Sequence, residues 1–358
     1  MSVLAVVALL AVLIFVHELG HFLAARLQGI YANRFSIGFG PILWKYQGSQ
    51  TEYALRALPL GGFVGFPDDD PDSKIPPNDP NLLRNRPVLD RAIVISAGVI
   101  ANLLFAYFVL VSQLAIVGLP TSFSYQSGVI VPQVISKDAV AAQAGVKEGD
   151  LIVAVNGQTL EASAKATDSL RQAIETNPGK PIQLQIQRKG EPVSLTVVPK
   201  ADDQGRGRIG VQLRPNGSTV YQRPSNLFSI FGIAAEEFQR IVVLTVQGFG
   251  QLISNFSKTA EQVAGPVAIV ATGAKIAQAD SASLFNFAAL ISINLAVINI
   301  LPLPALDGGQ LAFLLIEGLR GKPLPMRFQD GVMQTGLVLL LGLGVFLIIR
   351  DTVNLIPQ

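Results

Sequence analysis

Ala92 to Val117 and Val332 to Ile349 contain no charged residue, and a hydrocarbon layer about 30 Å thick is crossed by about 20 such residues in a helix. Two further stretches qualify. Val3 to Val16 is apolar throughout and continues to Ala25, interrupted only by a His/Glu/His cluster and a glycine; Leu284 to Leu301 is apolar but for Ser292 and three asparagines, and after Pro302 and Pro304 the apolar character resumes to Ile316. Composition agrees: 50% of the 358 residues are hydrophobic and 15% charged, against about 25% charged in soluble domains, and the mean hydropathy is +0.45. A chain of this kind is expected to be a polytopic bundle in a bilayer, in contact with membrane lipid. Leu227 to Val246 is long enough for a fifth crossing, but Glu236, Glu237 and Arg240 interrupt it at about 3 kcal/mol each at bilayer depth. It reads as an amphipathic helix on the membrane surface.

The net charge of +2 gives no basic surface for nucleic acid. Having no cysteine, the chain has no disulfides, thiolate metal sites or cysteine nucleophile. Met1 to Leu4 lacks the basic start of a cleavable leader, so the first run is expected to stay as a span. Arg26, Arg34, Lys45, Arg56, Lys74, Arg84, Arg86 and Arg91 fall between the first two spans, and Arg320, Lys322 and Arg327 between the last two. The positive-inside rule makes both loops cytoplasmic and leaves the termini and the segment 118–283 outside.

Within that outer segment, residues 127–213 read as a soluble module. Strands are expected at Val129 to Ile135, Leu151 to Val155, Ile182 to Ile186 and Val193 to Val198, with a helix over Thr167 to Thr176 and a turn at Lys189-Gly190. Asn156-Gly157 suits a hairpin needing positive φ. The run from Ala144 to Ile152, followed by Val155-Asn156-Gly157, resembles the PDZ pattern of bacterial envelope proteases. One alternative is a β-rich spacer, the other a groove that takes a peptide by strand addition.

Both histidines lie in His17-Glu18-Leu19-Gly20-His21. Imidazoles four residues apart share one helix face and can bind Zn2+, with the glutamate beside them as base. Ionisable groups inside a span are expensive, which makes the cluster a functional site by default. A catalytic zinc needs a third protein ligand and an open position for water. Asp307, after Pro302 and Pro304 and before Gly308-Gly309, is the expected carboxylate, with Glu317 a weaker alternative. At 1.5 Å per residue His17 lies about 21 Å inward from Val3, whereas Asp307 would lie about 35 Å inward from Leu284 in an unbroken helix. Span three must enter later, tilt or unwind at its prolines. Asp68, Asp69, Asp70 and Asp72 carry no glutamate at calcium-loop spacing and are expected to form a solvated loop.

Together these landmarks resemble the site-2-type intramembrane zinc metalloproteases, in the bacterial PDZ-containing branch of the sigma-E-regulator type. The resemblance implies peptide-bond hydrolysis within the bilayer, with His17, His21 and Asp307 as zinc ligands and Glu18 as general base. It implies that Asn294, Asn299, Pro302 and Pro304 hold substrate or stabilise the transition state, and that Tyr53 to Val64 forms a β-loop re-entering the membrane. Ser96-Ala97-Gly98 and Asn102 match the family's second core helix. Only one PDZ copy is visible where the sigma-E type has two. The expected architecture is an α-helical polytopic membrane protein of four transmembrane helices and a re-entrant β-loop, with an inserted α+β PDZ-like domain. Its segments are 1–27, 28–91, 92–117, 127–213, 214–283, 284–318 and 331–350.

Substrates are expected to be transmembrane proteins, single-span and already trimmed outside, docking an unwound segment as an added strand against Tyr53 to Val64, with Tyr53, Leu55 and Ala57 as contacts. Two rivals remain. A transporter would carry polar mid-membrane residues, but no internal repeat spans the four runs. A catalytically inactive scaffold, tethering partners through the PDZ-like domain, would have no need of Glu18.

Overall fold

The computed structural model describes residues 2–70, 73–136, 138–224, 226–259, 263–279 and 282–355. The chain forms two compact units, Met1–Val117 with Pro224–Val353, and Gly118–Arg223.

In the first unit the helices are α1 (Ser2–Leu27) and α2 (Val88–Ile116), followed much later by α5 (Leu227–Ser254), α6 (Phe256–Thr259), α7 (Pro266–Ala279), α8 (Ser283–Ile300), α9 (Asp307–Arg320) and α10 (Met326–Leu355). Among the described residues four helices are long and apolar enough to cross a membrane: Val3–Leu27, Val88–Ile116, Ser283–Ile300 and Met326–Asn354. Helix α2 is central, packing on α1, α5, α8 and α9. It meets α1 where Gly20 lies against Ala97 and Ala101, small residues that let two backbones approach closely.

Span three is broken, as its prolines require: α8 ends at Ile300 and α9 begins at Asp307. The connecting loop turns back so tightly that a side chain at Gly308 would collide with the Ile300 and Leu301 carbonyls. Asp307 therefore stands at about the depth of Ile300, about 24 Å from Leu284 rather than 35 Å. That is close to the depth counted for His17.

Helix α5 occupies the segment expected to be an amphipathic helix on the membrane surface, and it is not one of the described helices apolar enough to cross. It packs along α2 and α8, with the Tyr107 hydroxyl donating to the Phe231 carbonyl and Thr245 Oγ1 donating to Asn294 Oδ1 at 3.1 Å. Its charges are partly self-satisfied, since Arg240 pairs with Glu237 one turn away.

Between α1 and α2 lie two long bent strands, β1 (Arg34–Gln47) and β2 (Glu52–Gly65). Each contributes two arms. Residues 34–37 pair in parallel with 52–55 and antiparallel with 62–65, while 42–47 pair antiparallel with 52–56. The lateral order of arms is thus 62–65, 34–37, 52–55, 42–47. Phe35 and Tyr53 pack with Phe22 of α1, whereas Phe39, Leu43, Trp44, Tyr46 and Leu58 are exposed. Beyond the sheet, Asp68 accepts the Leu83 and Arg84 N–H groups and Asp70 pairs with Arg34. Both carboxylates are committed to holding the loop. Asp72 lies outside the described residues.

The second unit comprises β3 (Leu119–Val134), α3 (Val140–Gln143), β4 (Leu151–Val155), β5 (Gln158–Thr159), α4 (Lys165–Glu175), β6 (Ile182–Arg188), β7 (Glu191–Val197), β8 (Lys200–Ala201), β9 (Gly207–Arg208) and β10 (Val211–Gln222). The main sheet runs β10-β3-β4-β6-β7 over a core that includes Val129, Ile152, Leu170, Leu184 and Ile186. Asn156 and Lys189 have φ near 50° and are each followed by a glycine at positive φ, the geometry of the expected tight hairpins. The unit extends beyond 127–213, because β3 and β10 continue as a ribbon pairing Leu119 with Gln222. Those extensions are mostly exposed, so no apolar alternation marks them in the sequence.

Candidate metal centre

His17 and His21 stand one turn apart on α1, and Asp307 opens α9. Asp307 Oδ2 lies 3.3 Å from His17 Nε2 and 3.3 Å from His21 Nε2, and the two Nε2 atoms are 3.3 Å from each other. The triangle is equilateral. Tetrahedral ligands about 2.0–2.1 Å from a zinc ion are about 3.3–3.4 Å apart, whereas an N–H···O hydrogen bond is commonly about 2.9–3.0 Å. These three atoms therefore have the spacing of ligands converging on one ion. The side chains are only 12%, 13% and 14% exposed, and Asp307 Oδ2 is buried without a hydrogen-bond partner among the described residues. The donor set, two imidazoles and a carboxylate, fits a catalytic zinc.

A single stripe of α2 backs both imidazoles. His21 Nδ1 lies 2.8 Å from the Val94 carbonyl, His17 Nδ1 lies 3.3 Å from the Asn102 amide, and Gly98 sits between them. A side chain at Gly98 would overlap His21 Nε2 and come within 2.8 Å of His17 Cε1. Spaced i, i+4 and i+8, these residues share one face and run antiparallel to the His17/His21 pair. Sequence reasoning took Gly98 and Asn102 as packing residues only and missed Val94. The matching spacings on α1 and α2 were the available signal.

Glu18 lies off the ligand triangle. Its carboxylate takes the Val64 N–H, and Gly62 leaves no room for a side chain beside Glu18 Cγ. The arm 62–65 is one of the two outer arms of the sheet, and its Gly62 and Val64 contacts make it the one alongside Glu18. Tyr53 and Leu55 belong to an arm paired on both sides, to 34–37 and to 42–47, so their backbone offers no free edge. Within the docking segment expected at Tyr53 to Val64, the unpaired side thus lies at 62–64 and not at Tyr53 or Leu55. Those residues support the sheet, and Ala57 is exposed beyond the doubly paired stretch.

The other expected residues are spread along the broken span. Asn299 is half-buried in the last turn of α8, Asn294 is engaged by Thr245 of α5, and Pro302 is exposed in the loop. Pro304 packs against Gly336 of α10 and lines an apolar groove of about 500 Å³ with Leu303, Phe328 and Val332. Glu317, the alternative ligand, is instead ion-paired with Arg91 of α2, which ties α9 to the helix behind the histidines.

A profile described as peptidase family M50 matches residues 5–343. A protein of Nostoc sp. named as a zinc metalloprotease is 65% identical over all of this chain and 98% of its own length. The Arabidopsis thaliana chloroplastic membrane metalloprotease ARASP is 49% identical over 99% of this chain and 79% of its own. The zinc metalloprotease RasP of Geobacillus kaustophilus is 29% identical, covering 95% of each. Among solved structures, the PDZ domain of an SdrC-like protein from Listeria innocua is 23% identical over 24% of this chain and 93% of its own, with a TM-score of 0.21, too low to establish a shared fold.

Proposed function

Because the chain belongs to peptidase family M50, the site-2 zinc metalloproteases, we propose that it is an integral membrane enzyme that hydrolyses peptide bonds within transmembrane segments of other membrane proteins. The observation that carries this reading is the 3.3 Å ligand triangle with Glu18 beside but outside it. His17, His21 and Asp307 would hold the ion. When bound, zinc supplies a Lewis acid for the scissile carbonyl and lowers the pKa of water at its open position. Glu18 takes a proton from the attacking water on its carboxylate and delivers it to the leaving amine. Asn299, at the end of α8, is the nearer of the two asparagines in sequence to the ligand loop and the better candidate to donate to developing negative charge. Asn294 already accepts from Thr245, which suits it to holding α8 in register. Pro302, exposed in the loop before Asp307, and Pro304, packed against Gly336 of α10, are the loop's expected contacts for a substrate.

The substrate strand is assigned to the outer edge of residues 62–65. A scissile carbonyl reaches a metal only from extended backbone, and extended backbone in lipid needs a pairing edge. This edge is next to the base. The exposed aromatic arm with Trp44 and Tyr46 stacked suits insertion at a membrane interface. On the positive-inside reading, the sheet is cytoplasmic and the unit 118–223 lies outside as a PDZ-like filter on substrates. A catalytically inactive scaffold is the second reading, and it has no use for a carboxylate held at the ligand triangle.

The test compares wild type with Glu18→Gln. The variant should retain about one zinc per chain, and membrane-protein fragments should accumulate uncut in cells that carry it. Unchanged fragment patterns between the two would refute the protease reading in favour of the scaffold.

A further inference from the structure

We propose that Asn102 is a positioning residue that holds the ring proton of His17 on Nδ1, reserving the Nε2 lone pair for the metal. This rests on the metal reading given above and adds a residue to it.

A neutral imidazole has one N–H and one lone pair. To ligate through Nε2 it must carry its proton on Nδ1, and that N–H needs an acceptor. For His21 the acceptor is unambiguous, since the Val94 carbonyl 2.8 Å away can only accept. For His17 the partner is the amide of Asn102, which can do either. In the orientation observed, Asn102 Nδ2 faces His17 Nδ1 at 3.3 Å, and Asn102 Oδ1 is buried with no hydrogen-bond partner among the described residues. This orientation makes Nδ1 an acceptor and puts the ring proton on Nε2, pointing at Asp307, where it excludes a metal. Turning the amide by half a rotation brings Oδ1 to Nδ1, reverses donor and acceptor and frees Nε2. The two orientations differ only by exchange of nearly isosteric groups.

Both orientations leave one end of the amide without a protein partner, so that cost is common to both and the balance is decided at His17. Asn102 is fully buried, and its backbone carbonyl accepts from Ser292 Oγ of α8 at 2.8 Å. The side chain therefore turns on a fixed origin. Metal loading and amide orientation are coupled: binding of the ion selects the acceptor facing His17, and an acceptor facing His17 favours binding.

The test uses the full-length protein with zinc, and with cobalt(II) as a spectroscopic probe. Asn102→Leu keeps the volume and removes the acceptor, and should weaken zinc binding by about 10- to 100-fold in chelator competition, with an altered cobalt absorption spectrum. Asn102→Asp keeps an oxygen towards His17 and should restore both. The chain has only two histidines, so nitrogen-15 spectra of the zinc-loaded wild type report each ring directly, whether or not the leucine variant folds. Both rings should carry a proton on Nδ1. Wild-type zinc affinity in a folded Asn102→Leu, failure of Asn102→Asp to rescue, or a His17 ring without an Nδ1 proton would each overturn the proposal. Wild type that binds no zinc would instead overturn the metal reading itself.

Discussion

Glu18 takes its hydrogen bond from Val64 while the three ligand atoms face one another, so metal binding and proton transfer are separable by substitution. His21→Ala or Asp307→Ala should abolish zinc binding. Glu18→Gln should leave it intact while reducing cleavage by about 10²- to 10⁴-fold, measured by metal analysis beside a peptide-release assay. Normal metal content in Asp307→Ala would remove the carboxylate from the ligand set. Gly98→Ala should lower zinc occupancy although residue 98 touches no metal, because its methyl occupies the space of both imidazoles. The second unit offers an independent residue-scale test. Burial alone would raise the Asp150 carboxyl, but Arg188 and the Lys147 N–H, each at 2.8 Å, hold it below the ordinary carboxylate range. A carboxyl lowered by folding contributes stability above its unfolded pKa of about 3.9 and loses it as pH falls through the folded value. Hydrogen-exchange protection of residues 145–155 in Arg188→Ala should be reduced at pH 7 and depend less on pH between 5 and 3; protection identical to wild type would sever the link. At this scale the cluster was legible, because His17 and His21 declare themselves by spacing and Asp307 by its glycines and prolines. Val94 and Asn102 were not, since their contacts with the two rings exist only once α1 and α2 face each other.

The broken span was legible for a related reason: Pro302 and Pro304 cannot continue a helix, and counting residues showed that an unbroken one would carry Asp307 too deep. Strand pairing was a different matter. Arms 34–37, 52–55 and 62–65 have similar apolar content, and which is central depends on partners up to 31 positions apart, which no local pattern encodes. Residue counting also misses the pairing of Arg240 with Glu237 on α5, because it takes each charge singly. The sheet yields an element-scale prediction. As the natural chain has no cysteine, single cysteines are unique handles. A cysteine at Phe63 should crosslink to one in the unwound segment of a substrate, while cysteines at Leu55 or Tyr53 should crosslink at least about tenfold less. Equal yields at the three positions would return the docking strand to the middle of the sheet.

For the molecule as a whole, the same lack of cysteine makes topology measurable. In intact cells an impermeant thiol reagent should label Gln158→Cys, and should reach Lys74→Cys and Lys322→Cys only after permeabilisation. Labelling of Lys322→Cys from outside would show that α5 crosses the membrane. Replacing residues 118–223 by a short linker should preserve zinc content and cleavage of a pre-trimmed substrate, while relaxing discrimination against intact ones. The docking edge proposed at 62–65, where Glu18 already holds the Val64 N–H, carries a consequence for substrate choice. An edge that offers only N–H and C=O groups reads no side chains, so whatever docks there is admitted for the ease with which it gives up its own helical hydrogen bonds. Discrimination then becomes a matter of melting. Among substrates of equal length, turnover should rank by the local fragility of the helix, rising with each glycine or asparagine near the cut and falling with each leucine, while the residues flanking the scissile bond vary almost at will.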